Sequence, residues 1–110
     1  MRAMAALPAV ITENLEAIRG LCREHHVTKL TVFGSAVKGT FDPERSDLDF
    51  VVELERDDDP MEPGRRYLEL WKALKDLFGR PVDLLIERTI KNPYLAESIA
   101  AAQTPLYAAA

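Results

Sequence analysis

The stretch from Val32 to Val52, VFGSAVKGTFDPERSDLDFVV, decides how the chain is interpreted. A short apolar run ends at Gly34-Ser35, and eleven residues beyond Ser35 the tetrapeptide SDLD (46–49) opens a second apolar run. Two carboxylates separated by one residue are poor choices for the core of a sheet, because burying unpaired charge is costly. We therefore expect these carboxylates to have a chemical task.

Length, composition and charge indicate one globular domain over residues 1–110. Hydrophobic residues make up 47% and charged residues 29%, an ordinary globular balance. A net charge of -4 without a Lys/Arg run argues against direct nucleic-acid binding. The single cysteine, Cys22, excludes an internal disulfide and a thiolate zinc cluster, and it predicts a cytoplasmic location. The N-terminal apolar patch, interrupted at Pro8, is too short for a membrane span.

Hydrophobic periodicity predicts strands that alternate with amphipathic helices. Strands are expected at 29–33, 47–54 and 81–87, with helices at 65–79 and 92–102 and a first helix that begins near Pro8. The apolar side of the last helix is expected to comprise Tyr94, Leu95, Ile99 and Ala102. This order predicts an α/β domain of the two-layer α+β kind, a small mixed sheet with helices on one face.

The alternation of side chains along a strand places the acidic residues together. Asp47 and Asp49 share one face of their strand, and Asp83 points away from the apolar face of the third strand. If these strands are neighbours, three aspartates converge on the uncovered face of the sheet. Like charges repel unless something neutralises them, and Mg²⁺ is held by one or two carboxylates together with substrate phosphates.

The glycine-serine turn supplies the second half of the expected site. Gly34 lets the chain turn sharply off the first strand and lets backbone N–H groups approach a ligand, while Ser35 adds a hydroxyl. Gly39 follows after a short helical turn. A phosphate cradle beside metal-binding carboxylates is typical of phosphoryl or nucleotidyl transfer.

These motifs together resemble a known family. Gly34-Ser35-x-x-x-Gly39, followed by Ser46-Asp47-x-Asp49 and by Asp83 in a VDLL strand, looks like the nucleotidyltransferase signature of the DNA polymerase β superfamily. The small size resembles its minimal nucleotidyltransferase (MNT) branch, the antitoxin partners of HEPN toxins. The likeness runs from about Lys29 to the C-terminus and includes the ending NPYLAESIAAAQTPLYA.

The resemblance implies roles for individual residues, for Mg²⁺ as the cofactor and for ATP as the substrate. Asp47, Asp49 and Asp83 are the implied catalytic and metal-binding residues, holding two Mg²⁺ ions with ATP as the substrate. The implied nucleotide-binding residues are Gly34, Ser35, Lys38, Gly39 and Ser46. Lys38 stands where this branch more often has arginine, which keeps the charge but loses the bidentate geometry.

Other interpretations of the same residues are weaker. A Walker P-loop would need lysine where Thr40 stands, and an EF-hand loop starting at Asp42 would need glycine where Asp47 stands. On their own, the two aspartates could simply decorate an exposed edge strand. His25-His26 is more typical of a helix C-terminus than of a metal site.

Three functions follow from the resemblance, and the first is favoured. In the first, the chain transfers AMP from ATP to a hydroxyl, a tyrosine of a cognate HEPN ribonuclease toxin, and so neutralises it in a hetero-oligomer. In the second, the chain is a non-catalytic antitoxin that acts by occlusion. In the third, it modifies a small molecule, as aminoglycoside nucleotidyltransferases do, although 110 residues leave little room for an acceptor pocket.

Overall fold

A computed structural model describes residues 7–109 of the chain. Four strands form one sheet: β1 (Val27–Phe33), β2 (Leu48–Leu54), β3 (Val82–Ile86) and β4 (Gln103–Ala108). The α-helices are α1 (Ala9–Thr12), α2 (Leu15–Glu24), α3 (Ser35–Lys38), α4 (Glu62–Phe78) and α5 (Pro93–Ala101), and a 3-10 turn covers Glu87–Thr89. Within the described residues, no helix is long and apolar enough to cross a membrane.

The sheet is mixed, with strand order β3-β2-β1-β4. β1 runs antiparallel to β2 and to β4, whereas β2 and β3 are parallel. Parallel neighbours need a crossover connection, and α4 lies in the connection between β2 and β3. As a result, the end of β1 and the starts of β2 and β3 meet at one edge of the sheet.

One face of the sheet carries the main hydrophobic core. Alternate residues of β1, β2 and β3 face α2 and α4, whose apolar stripes follow the helical period. Phe50 and Phe78 stack across this layer with ring centroids 5.8 Å apart. The buried residues of the layer include Ile18, Cys22, Leu30, Val32, Leu48, Phe50, Val52, Leu70, Leu74, Phe78, Val82 and Leu84. The predicted α+β domain with a small mixed sheet is confirmed.

The opposite face is only partly covered, and α5 lies over it. Ile99 is the one buried residue of α5, and it lines a groove with Thr31 and Val51, which alternate with the core-facing residues of their strands. The prediction that helices lie on one face therefore holds for α2 and α4 but not for α5. Tyr94 and Leu95, predicted to be part of the apolar side of α5, are 80% and 37% exposed.

The structure differs from the predicted elements in two places, a split helix and an additional strand. The first helix is broken at Glu13–Asn14 into α1 and α2, and the side-chain Nδ2 of Asn14 donates to the Val10 carbonyl at 2.8 Å. Asparagine competes with the helix for backbone groups in this way. The strand β4 was not predicted, because Pro105 within its sequence QTPLYA weakens the strand signal.

Candidate active site

Gly34 ends β1 in a conformation that other residues avoid. Its φ is 75° and its ψ is -142°, and a Cβ atom built there would lie 2.7 Å from Oδ2 of Asp49. Only glycine therefore allows the carboxylate to lie directly against this turn. The Gly34 N–H donates to the carbonyl of Ala102 at 3.2 Å, so this amide is already used within the protein.

The phosphate-binding role predicted for this turn must therefore rest on the groups after Gly34. Ser35 and Ala36 begin α3, and the first N–H groups of a helix have no partner within it. The amides of Val37 and Lys38 both donate to the Gly34 carbonyl at 3.0 Å. The Ser35 hydroxyl and the backbone amides of Ser35 and Ala36 are thus the donors that the turn can offer to a ligand.

Two of the predicted aspartates are in direct contact. Asp49 and Asp83 lie opposite each other in the parallel register of β2 and β3, close enough for hydrogen bonding between their carboxyl groups to act on the pKa of Asp49. Burial, this hydrogen bond and the charges of Asp83 and Asp47 together raise the pKa of Asp49 from 3.8 to about 6. Asp49 is half-buried, whereas Asp47 and Asp83 are exposed.

Asp47 stands one residue before β2, close enough for its charge to act on Asp49. The three aspartates thus share one edge of the sheet, and Asp83 points to solvent rather than into the core. As the side chains stand, however, no three His, Cys, Asp or Glu residues between positions 7 and 109 form a set that could hold a metal ion. The predicted ligand set stays a prediction.

The donor chemistry of this edge fits a hard divalent cation. Carboxylate oxygens are the ligands that Mg²⁺ prefers. The charges of Asp83 and Asp47 act unfavourably on ionised Asp49, and a bound cation would offset that repulsion. The nearby carboxylate of Glu87 does not add to this set, because it lies 3.8 Å from the ammonium group of Lys29, away from this edge.

The remaining predicted site residues have structural partners or lie apart. The Ser46 hydroxyl accepts from the Asp42 amide at 2.9 Å, so it closes the loop that precedes β2. Gly39 ends α3 with a left-handed φ of 82°, a position that favours glycine. Lys38 is exposed at the last turn of α3. Nucleotide binding by these three residues stays a prediction.

Arg80 was not singled out from the sequence, yet it contacts the loop before the aspartates. Its guanidinium donates to the carbonyls of Pro43 and Ser46. The partners lie 37 and 34 residues earlier in the chain, so no local pattern could reveal these contacts.

Comparison with known proteins identifies the family of this chain. The family described as "Nucleotidyltransferase domain" matches residues 15–102. The chain belongs to this family. A relative from Methanocaldococcus jannaschii, named provisionally as a protein adenylyltransferase, is 33% identical in a 95-residue alignment that covers 79% of this nucleotidyltransferase and 92% of the relative.

Solved structures show the same fold. A structure described provisionally as a minimal nucleotidyltransferase is 32% identical, with a TM-score of 0.62 over 86% of this chain and 91% of the other. A Shewanella oneidensis complex of a tri-AMPylated HEPN toxin with an MNT antitoxin matches at 21% identity and a TM-score of 0.55, over 89% of this chain and 72% of the other. The second likeness shows the fold alone. The predicted nucleotidyltransferase class is confirmed.

Proposed function

We propose that this nucleotidyltransferase moves AMP from ATP to a hydroxyl, a tyrosine of a cognate HEPN-family toxin, and thereby neutralises the toxin. The observation that carries the proposal is the contact of Asp49 with Asp83 at the sheet edge, beside a glycine whose missing side chain admits the carboxylate. The adenylyltransferase name of the archaeal relative and the AMPylated toxin in the Shewanella complex support the choice of AMP and of partner.

The residues divide the work of an in-line displacement between them. Asp47, Asp49 and Asp83 would hold Mg²⁺, which when bound neutralises charge on the phosphates and on the attacking and leaving oxygens. Ser35 and the leading amides of α3 would bind the terminal phosphates and so orient the α-phosphate. Asp83 is exposed at the far side of the carboxylate pair from Gly34, and in this proposal it would hold the acceptor hydroxyl and take its proton.

The balance of the reaction follows from these roles. The acceptor oxygen forms a bond to the α-phosphorus of ATP, the bond from that phosphorus to the bridging oxygen breaks, and pyrophosphate leaves. The acceptor proton passes to a carboxylate of the site and then to solvent. Two Mg²⁺ ions, as the resemblance implies, and a cytoplasmic location belong to the same proposal.

The test is covalent modification of the HEPN-family toxin that the proposal requires as the partner. Incubation of the purified toxin with this protein, ATP and Mg²⁺ is expected to add AMP to the toxin, detected as a mass gain and mapped to a tyrosine. Asp49→Asn is expected to lower the rate at least about 100-fold, since even partners outside the metal's ligand set are worth about 10- to 100-fold. Asp58→Asn, in the exposed acidic loop, is the matched control.

The same variants separate catalysis from occlusion. If Asp47→Asn and Asp49→Asn proteins still suppress toxin ribonuclease activity at equal concentration, the non-catalytic antitoxin is the correct function. Transfer of AMP to a small molecule, with none to the toxin, would instead favour the small-molecule transferase.

A further inference from the structure

Arg80 joins two parts of the chain that carry the acidic residues. It lies between α4 and β3, and its Nη1 donates to the Ser46 carbonyl at 3.2 Å while its Nη2 donates to the Pro43 carbonyl at 2.6 Å. The guanidinium carbon also lies 5.0 Å from the centre of the Phe41 ring. One side chain thus contacts three points of the loop at 41–46.

That loop has its own hydrogen bonds but is otherwise exposed. The Asp42 amide donates to the Ser46 hydroxyl at 2.9 Å, the Ser46 amide donates to the Asp42 carbonyl at 2.9 Å, and the Glu44 amide donates to the Asp42 carboxylate at 2.9 Å. These contacts fix the shape of the loop but not its position on the sheet. Phe41 packs against the hydrophobic core at one end of the loop, and the contacts from Arg80 fix the position of the rest.

The residues beside Arg80 extend the same connection to the aspartates. The Pro81 carbonyl accepts from the Leu48 amide at 3.2 Å, and Asp83 follows two residues later. Asp47 directly follows Ser46, whose carbonyl Arg80 holds. Arg80 and Pro81 therefore contact Ser46 and Leu48, the residues on either side of Asp47. The same segment carries Asp83.

We propose that Arg80 is a positioning residue, which fixes the loop leading into Asp47 against the strand carrying Asp83 and so sets the spacing of the metal-binding carboxylates. This inference rests on the proposed function, because it concerns the metal ligands of that site. Arg80 itself touches no reacting atom in this account.

The chemistry of the contacts shows why an arginine is needed. Its planar fork can donate to two carbonyls at once, whereas a lysine ammonium is a point charge on a flexible stem. Among the described residues, no carboxylate pairs with Arg80, so its contribution here is geometric rather than a neutralised ion pair. Its Nε is buried without a protein partner, a cost that the two carbonyl contacts offset.

The test measures metal binding and loop protection as well as activity. Mn²⁺ binding to the free protein, followed by electron paramagnetic resonance, is expected to weaken about 10- to 100-fold in Arg80→Lys and Arg80→Ala. Amide hydrogen exchange is expected to accelerate over residues 41–48, and the Mg²⁺ concentration for half-maximal AMP transfer is expected to rise in parallel. Arg66→Ala is the matched control, because Arg66 is 15% exposed and its Nη2 lies 2.9 Å from a carboxylate oxygen of Asp57.

Each outcome decides the question. Mn²⁺ binding and loop exchange within twofold of the wild type in both Arg80 variants would overturn the inference. So would equal losses in Arg66→Ala, or global unfolding of both Arg80 variants, because Arg80 would then be a general stabilising residue. An unmodified toxin with the wild-type protein would overturn the proposed function instead, while Mn²⁺ binding and exchange would still decide the role of Arg80.

Discussion

At the scale of single residues, the site depends on Gly34, whose lack of a side chain leaves space for the Asp49 carboxylate. Replacing Gly34 with alanine places a Cβ 2.7 Å from Asp49 Oδ2 and strains a φ of 75°, so we expect a loss of about 1–3 kcal/mol in the free energy of unfolding and loss of the Mg²⁺-dependent rise in melting temperature. Gly79→Ala strains a similar φ of 62° but meets nothing within 4 Å. This control should lose stability and keep its response to Mg²⁺. Equal Mg²⁺ responses in both variants would contradict the role assigned to Gly34.

The raised pKa of Asp49 predicts a pH dependence of stability. The pKa of Asp49 is about 6 in the folded protein, against 3.8 for an unperturbed aspartate. Ionised Asp49 therefore destabilises the fold, fully above pH 6, and this penalty shrinks as the pH falls from about 6 towards 3.8. Without divalent metal, Asp49→Asn is therefore expected to be more stable than the wild type at pH 8, by about 1 kcal/mol after solvent screening, with the difference shrinking by pH 5. Melting curves of both proteins across this pH range measure the difference in stability. A difference that stays constant between pH 5 and pH 8 would refute the effect of Asp49 ionisation on stability.

At the scale of elements, side chains of α4 protect the outer edge of β3. The Pro81 carbonyl points to β2, so the alternate carbonyls of Val82 and Leu84 point outward, where they accept from Trp71 Nε1 at 2.8 Å and the Tyr67 hydroxyl at 2.6 Å. An unpaired edge of this kind invites pairing with another chain.

The double variant Tyr67→Phe with Trp71→Phe tests this protection. Each lost hydrogen bond is worth about 0.5–1.5 kcal/mol, so urea unfolding is expected to show a loss of about 1–3 kcal/mol. Analytical ultracentrifugation is expected to show increased self-association. Tyr94→Phe, at a residue that is 80% exposed, should change neither quantity. If the double variant stays as stable and as dispersed as this control, the edge contacts have no such role.

The sequence predicted those elements whose signals are local. The alternation in DLDFVV and PVDLL placed the aspartates away from the core, and the register of Asp49 with Asp83 agrees with that prediction. The strand β4 escaped prediction because Pro105 weakens its strand signal, and pairing with β1 overrides that weak preference. The contacts of Arg80 escaped because a side chain chooses partners 34 and 37 residues away through tertiary packing alone.

At the scale of the whole molecule, the two faces of the sheet have different tasks. The face under α2 and α4 holds the main core, while the edge beside the other face brings Gly34, Asp49 and Asp83 together. Eight of the nine residues of α5 are exposed, so this helix encloses little of the site. An open edge of this kind fits a macromolecular acceptor that supplies its own surface, as the proposal of a protein substrate requires.

The central claim is that the three aspartates bind divalent metal together with ATP. The most direct measurement is anomalous X-ray scattering from crystals of this chain grown with Mn²⁺ and a non-hydrolysable ATP analogue. Anomalous peaks coordinated by Asp47, Asp49 and Asp83 are expected, with the terminal phosphates at Ser35 and the start of α3. Bound analogue with no peak at these carboxylates, or with Mn²⁺ held by other residues, would contradict it.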